Sequence, residues 1–135
     1  MISARLLRGA VAAATAAVLL TACSSDNGAA VPRDWIGDTY DAGGLGWIDR
    51  DSSPAQVAAA IDDKSSALDR TTGGGMELMR YSDDMVTVSP YQGGGSQIEI
   101  DDYRNGYHRH QSYVGGIWPD PDSESFRGGG PGEGK

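Results

Sequence analysis

Hydrophobic positions fall into three regimes along this chain. From Ala10 to Leu20 they form a nearly unbroken apolar run. In "SPAQVAAAIDDKSSAL" (53–68) the spacing is helical: Val57, Ile61 and Leu68 share a face with Ala60 beside them, while Asp62, Asp63 and Lys64 turn outward. Ser53 can cap this helix, Pro54 suits its first turn, and Gln56 completes a capping box. "VPRDWIGDTY" (31–40) predicts a shorter helix with Trp35 and Ile36 turned inward, and "DAGGLGWIDRDSS" reads as a Gly-rich loop.

After "TTGGG" the period becomes two. "MELMRY" (76–81), "MVTVSP" (85–90) and "SQIEIDDY" (96–103) predict three strands, joined by a hairpin-length "SDD" and by a "YQGGG" link suited to positive φ. Val86 with Val88 and Ile98 with Ile100 mark buried faces; Glu99 and Asp101 lie opposite. "YHRHQSYV" (107–114) predicts a fourth, edge strand. The expected fold class is α+β: one main helix packed on a three- to four-stranded antiparallel meander, between a disordered N-terminal tether and a Gly-rich C-terminal tail.

The first apolar run belongs to something else. Arg5 and Arg8 precede it, and it is shorter than the about 20 residues that span a bilayer. A basic flank, a short apolar stretch and small residues make a secretory leader. Its end, Leu20-Thr21-Ala22-Cys23, resembles the lipobox at which bacterial lipoprotein precursors are acylated on Cys and cut just before it. That chemistry needs a thiol as acceptor and small residues ahead of it for the peptidase. The expected partition is a leader at 1–22, a tether at 23–30, a small domain at 31–118 and a disordered tail at 119–135. Cys23 is the lipid-attachment candidate, for palmitate-type chains; as the only cysteine in the chain, it leaves no disulfide to staple the domain.

Without the leader, nine basic residues face nineteen acidic ones, a net charge of −10. This balance argues against nucleic acid and against adhesion to anionic lipid, both of which select basic surfaces. It is compatible with cations or basic proteins as partners. The core is thin: Leu, Ile, Val and Phe total 15 of the 113 residues from Cys23 onward. Nine Tyr and Trp residues in the same stretch compensate, each able to bury about 150–250 Å².

Three features bear on chemistry. From Gly129 the chain spells G-x-x-x-x-G-K, but no Ser or Thr follows Lys135 and Pro119 and Pro121 break any strand before it, so this is Gly-rich composition and no phosphate loop. The doublets Asp62-Asp63, Asp83-Asp84 and Asp101-Asp102 are not catalytic pairs, because neighbours on a strand point to opposite faces and acid–base pairs must converge. His108 and His110 would share one face of a strand and could meet Asp101 or Asp102 across a hairpin, yet Arg109 lies between them and nothing fixes the distance. "YRNGYHRHQSY" is the one basic, aromatic stretch. Tyr103, Arg104, Tyr107, His108, Arg109, His110 and Tyr113 are therefore the candidate recognition surface, the alternative being an Asn-Gly turn with core tyrosines. No catalytic constellation, resident metal or cofactor is implied.

"GWIDRDSSPAQVAAAI", "VTVSPYQGGGSQIEIDDYRNGY" and "RGGGPGEGK" together resemble DUF4247, a family of actinobacterial lipoproteins of unknown function. The resemblance spans nearly the whole chain after the leader and transfers no activity or catalytic residue. Family members tend to be encoded near small membrane proteins and an aminopropyltransferase-like enzyme, which keeps polyamine-like cations among the candidate ligands. The expectation is a lipid-anchored module on the extracytoplasmic face of the cell membrane, non-enzymatic, binding an envelope membrane protein. The alternative is a small-ligand or cation-binding lipoprotein.

Overall fold

The computed structural model describes residues 29–123; the expected leader, the lipobox-like Leu20–Cys23 and the Gly-rich end from Glu124 lie outside the described residues. Three strands form where alternation predicts them: β4 (Met76–Arg80), β5 (Asp84–Pro90) and β6 (Ser96–Asp102). They pair antiparallel, with Met79 opposite Val86 and Val86 opposite Ile100.

The sheet is wider than the meander of three or four strands. Its order is β1-β2-β6-β5-β4-β3, with β1 (Asp41–Gly43), β2 (Gly46–Asp49) and β3 (Asp69–Gly73) added. The first two lie in the stretch expected to be a loop. Gly44 turns the chain with φ of +58°, and Trp47 then pairs with Ile98. Gln97 fastens this hairpin by donating its side-chain amide to the carbonyls of Gly43, 3.2 Å, and Trp47, 3.1 Å. Strand β3 exists because the main helix, α2 (Pro54–Lys64), stops earlier than its apolar spacing suggests. Ser65 is extended, Asp62 accepts from the Ala67 N–H at 2.8 Å, and the Leu68 N–H opens the ladder to Arg80 O at 2.7 Å. Leu68 therefore leaves the helical face and is 47% exposed.

Alternation also sorts side chains between two helical layers. On one face, Met79, Tyr81, Val86, Val88 and Ile98 pack against Val57, Ala58 and Ile61 of α2 and Ile36 of α1 (Arg33–Thr39). The capping box at Ser53 and Gln56 forms as expected. On the other face, Leu78 and Met85 pack against Tyr103, Tyr107, Val114 and Trp118.

That second layer replaces the fourth strand. Residues 103–114 form α3 (Tyr103–Arg109) and α4 (Gln111–Val114), so more than one helix packs on the sheet. Asp102 caps α3 by accepting from the Asn105 N–H at 3.0 Å, and Tyr103 and Tyr107 stand four apart on one face, the helical repeat. Gly106 lets α3 lie close: a Cβ there would come within 2.8 Å of Met85. "RNG" is thus helix interior and no hairpin turn. The packed chain also runs past Trp118 into the residues assigned to the tail. Pro121 is buried, and Asp122 pairs with Arg104 at 2.8 Å.

Ile61→Ala is expected to cost about 2–5 kcal/mol of unfolding free energy. Leu68→Ala should change it by less than about 0.5 kcal/mol. Urea denaturation of the two variants checks both values, and equal losses would place Leu68 in the core after all.

Candidate functional site

Helix α3 divides the seven residues of the candidate recognition surface. Tyr103, Tyr107 and His110 point inward, exposed by 3, 2 and 8%, whereas Arg104, His108, Arg109 and Tyr113 reach the surface. A strand would have set alternate residues on one side; the helix sets every third or fourth there. Burial raises the hydroxyl pKa of both inward tyrosines. The Tyr103 hydroxyl donates to Pro119 O at 2.7 Å, and the Arg80 guanidinium lies 5.7 Å from the centre of its ring. The inward members are thus core, and a surface can use only the other four.

Of those four, three are held in place by carboxylates. Arg109 reaches β6, donating to both oxygens of Asp101 at 2.8 and 3.1 Å and to Glu99 at 3.0 Å. The paired geometry on Asp101 is the stronger, two-pronged kind, and it fixes α3 across the sheet. Arg104 and His108 share Asp122, each at 2.8 Å, which ties the chain after Trp118 to the helix. Tyr113 covers the glycine turn between β3 and β4, so a Cβ on Gly73 would strike its ring.

The two histidines do not converge. His108 faces Asp122 on the outside, whereas His110 Nε2 lies 3.3 Å from the Thr87 hydroxyl in the interior. Among the described residues, no three His, Cys, Asp or Glu side chains are placed to hold a metal ion. At least one carboxylate of each acidic doublet is tied into the fold. Asp62 caps the end of α2, Asp84 pairs with Arg33 at 2.8 Å, and the Asp83 carbonyl accepts from the Tyr103 N–H at 2.8 Å. Asp101 clamps Arg109 while Asp102, on the other side, caps α3.

A second candidate lies beside the edge hairpin of β1 and β2, in a stretch that overlaps the expected Gly-rich loop. A concavity of about 300 Å³ is lined by residues 39–41 and 48–51, including Tyr40, Asp41, Asp49 and Asp51. Burial pushes the Asp49 carboxyl up, but hydrogen bonds from the Asp51 and Ser52 N–H groups outweigh it and leave it below its ordinary value. Burial, then the Asp49 charge, raise the Tyr40 hydroxyl. Arg50 also lines the hollow, with its guanidinium 5.8 Å from the centre of the Tyr91 ring. The available signal was "DRDSS" beside "TYD", three carboxylates flanking a hairpin whose strands were not recognised.

A family model described as "Domain of unknown function (DUF4247)" matches residues 17–132. No curated protein and no solved structure matches the chain.

Burial, with the Arg109 charge next and Asp101 opposing, lowers the pKa of His110 below its ordinary value. The unfolded chain, with an imidazole near pKa 6.5, then binds more protons than the folded one. The contribution of neutral His110 to stability is complete above about pH 6.5 and declines as pH falls toward the folded pKa. Denaturant midpoints between about pH 7 and about pH 5 should therefore fall more steeply for the wild type than for His110→Gln. Parallel curves would show that this imidazole does not titrate with unfolding.

Proposed function

The chain belongs to the family described as "Domain of unknown function (DUF4247)", and we propose that it is a membrane-anchored extracytoplasmic lipoprotein that binds an envelope protein. The observation that carries this reading is the segment Leu20-Thr21-Ala22-Cys23, placed where a basic-then-apolar leader ends and holding the only cysteine. Among the described residues no helix is long and apolar enough to cross a membrane, so attachment by acyl chains suits the domain; two or more such chains anchor stably where one does not. The description of the family names no catalytic activity, and the titratable groups of α3 and β6 are taken up in tying elements together. A binding module is the reading these features support. Its partner-facing residues would be exposed ones such as Tyr113, of a type enriched at interface hot spots.

A second reading rests on the concavity between residues 39–41 and 48–51. Carboxylates at Asp41 and Asp51 beside the Tyr40 ring suit a small organic cation of the polyamine type, through charge and ring contact.

Intact mass of the protein extracted from its membranes is expected to begin at Cys23 with acyl chains attached. The Cys23→Ala variant should retain its leader and incorporate no alkynyl palmitate. An unmodified Cys23 thiol on the natural protein would refute the anchor. For the second reading, calorimetric titration with spermidine should give saturable heat that Asp41→Asn/Asp51→Asn removes. Heat that is equal in both proteins, or absent in the wild type, rules the concavity out as a cation site.

A further inference from the structure

The two edges of the sheet are finished differently. At one, β1 is only three residues long, and a very short edge strand offers little to pair with. At the other, β3 is five residues long, is paired with β4 along its whole length, and contains neither Lys nor Pro. Those residue types are common guards of an open edge. Among the described residues no strand pairs with the outer side of β3.

Turn geometry fixes which backbone groups of β3 face outward. Gly74 and Gly75 make a two-residue turn with φ of +60° and +80°, so Gly73 and Met76 form a bonded pair of the ladder. Bonded pairs alternate along an antiparallel ladder. Asp69 and Thr71 therefore turn their N–H and C=O groups toward β4, and Arg70 and Thr72 turn theirs away. In agreement, the Arg70 N–H is met by Asp69 Oδ1 at 2.8 Å, a local bond that a ladder bond can replace.

An apolar shelf runs along this edge. The segment from 113 to 118 is antiparallel to β3. Tyr113 covers Gly73 and Gly74 at the end of the strand, and Trp118 Nε1 donates to Asp69 Oδ2 at 3.1 Å at its start. Tyr113 and Ile117 are two of the large apolar side chains that the described residues expose, and a Cβ added at Gly116 between them would meet open space. Tyr113 therefore stands toward one end of the shelf and Ile117 toward the other.

Self-complementarity names the occupant of the edge. A twofold axis through Thr71, normal to the sheet, sets Arg70 of one copy opposite Thr72 of the other and the reverse, so the outward groups of both strands gain partners. The same axis sets Asp69 opposite Gly73, and no two carboxylates of β3 meet across the seam. Each Arg70 keeps its own counter-ions, Glu77 at 3.5 Å and Asp62 at 3.7 Å. On the shelf, Tyr113 of each copy comes toward Ile117 of the other. We propose that two copies of this chain pair antiparallel through β3 into one continuous sheet, with the two shelves sealing one face of the seam. The pairing does not depend on the anchor at Cys23. It does use Tyr113, which the binding reading also offers, and the experiment tells the two apart.

Full-length copies with two different affinity tags are co-expressed, each carrying a benzophenone amino acid at position 117, and intact cells are irradiated. The expected product has twice the chain mass, carries both tags and is linked to residues 70–75 or 111–116 of the other copy. The same probe at position 63, exposed on α2, should give none. Thr72→Pro removes an outward N–H without touching the β4 ladder and should lower the yield at least about fivefold. Gly116→Asp places a charge in open space on the shelf and should lower the yield likewise. Resistance to proteolysis shows that each variant is folded, and if Thr72→Pro is not, Gly116→Asp decides alone. No doubly tagged product, equal yields from 63 and 117, or a yield that the folded variants leave unchanged overturns the pairing. Linkage of position 117 to a different protein alone overturns it too, and favours the envelope-protein reading instead.

Discussion

Strand β5 is buried on both of its faces, and the rest of the molecule is arranged around that constraint. Val86 and Val88 point into the layer of α1 and α2, while Met85 and Thr87 point toward α3, and all four are at most 1% exposed. A strand in this position cannot show the clean inside–outside alternation of a half-solvated sheet. It needs a cover on each side, and a chain with so few aliphatic residues must assemble two small cores. Helix α2 supplies the first cover by ordinary amphipathic spacing. The second cover is built from aromatic residues, since α3 carries no Leu, Ile or Val.

This division explains what could be read from the sequence. The capped helix and the strands β4, β5 and β6 follow rules of local spacing, and they appear where those rules put them. Strands β1 and β2 do not, because three and four residues with two glycines carry too little periodicity, and the hairpin is fastened by Gln97 of the neighbouring strand β6. The replacement of a fourth strand by α3 and α4 had a local sign that was outweighed. Asp102 stands as a cap before residues that repeat at four, but "RNG" and the alternation of "HRH" pointed to a turn and an edge. Only the contact of Gly106 with Met85, remote in sequence, settles that the glycine serves close packing.

The candidate site follows from the same replacement. On a strand, His108, His110 and Arg109 would have faced solvent and the neighbouring ladder in alternation. On a helix end they part: His110 goes to Thr87 in the interior, Arg109 to β6 and His108 to Asp122. The basic, aromatic stretch that looked like a recognition surface is largely the adhesive between the second layer and the sheet. The chain carries a formal net charge of −8, and several of its carboxylates cap helices or hold arginines. Asp41, Asp49 and Asp51 stand together at the 39–51 edge, where no spacing rule marked them.

Aromatic hydroxyls complete the reasoning about a thin core without disulfides. Tyr81 and Tyr103 bury their rings, yet each hydroxyl donates to a backbone carbonyl: Ser65 O at the end of α2, 2.8 Å, and Pro119 O, 2.7 Å. Each such bond contributes about 1 kcal/mol net, and more would be lost if its buried partner were stranded. Burial pushes the Tyr81 hydroxyl up to about 12, so this donor keeps its proton at neutral pH. Ser65 in turn holds Ala30. The line from the buried Tyr81 ring through Ser65 to the first described residues is continuous. The first described residues are thus tied to the core, and the anchor proposed at Cys23 would load that line.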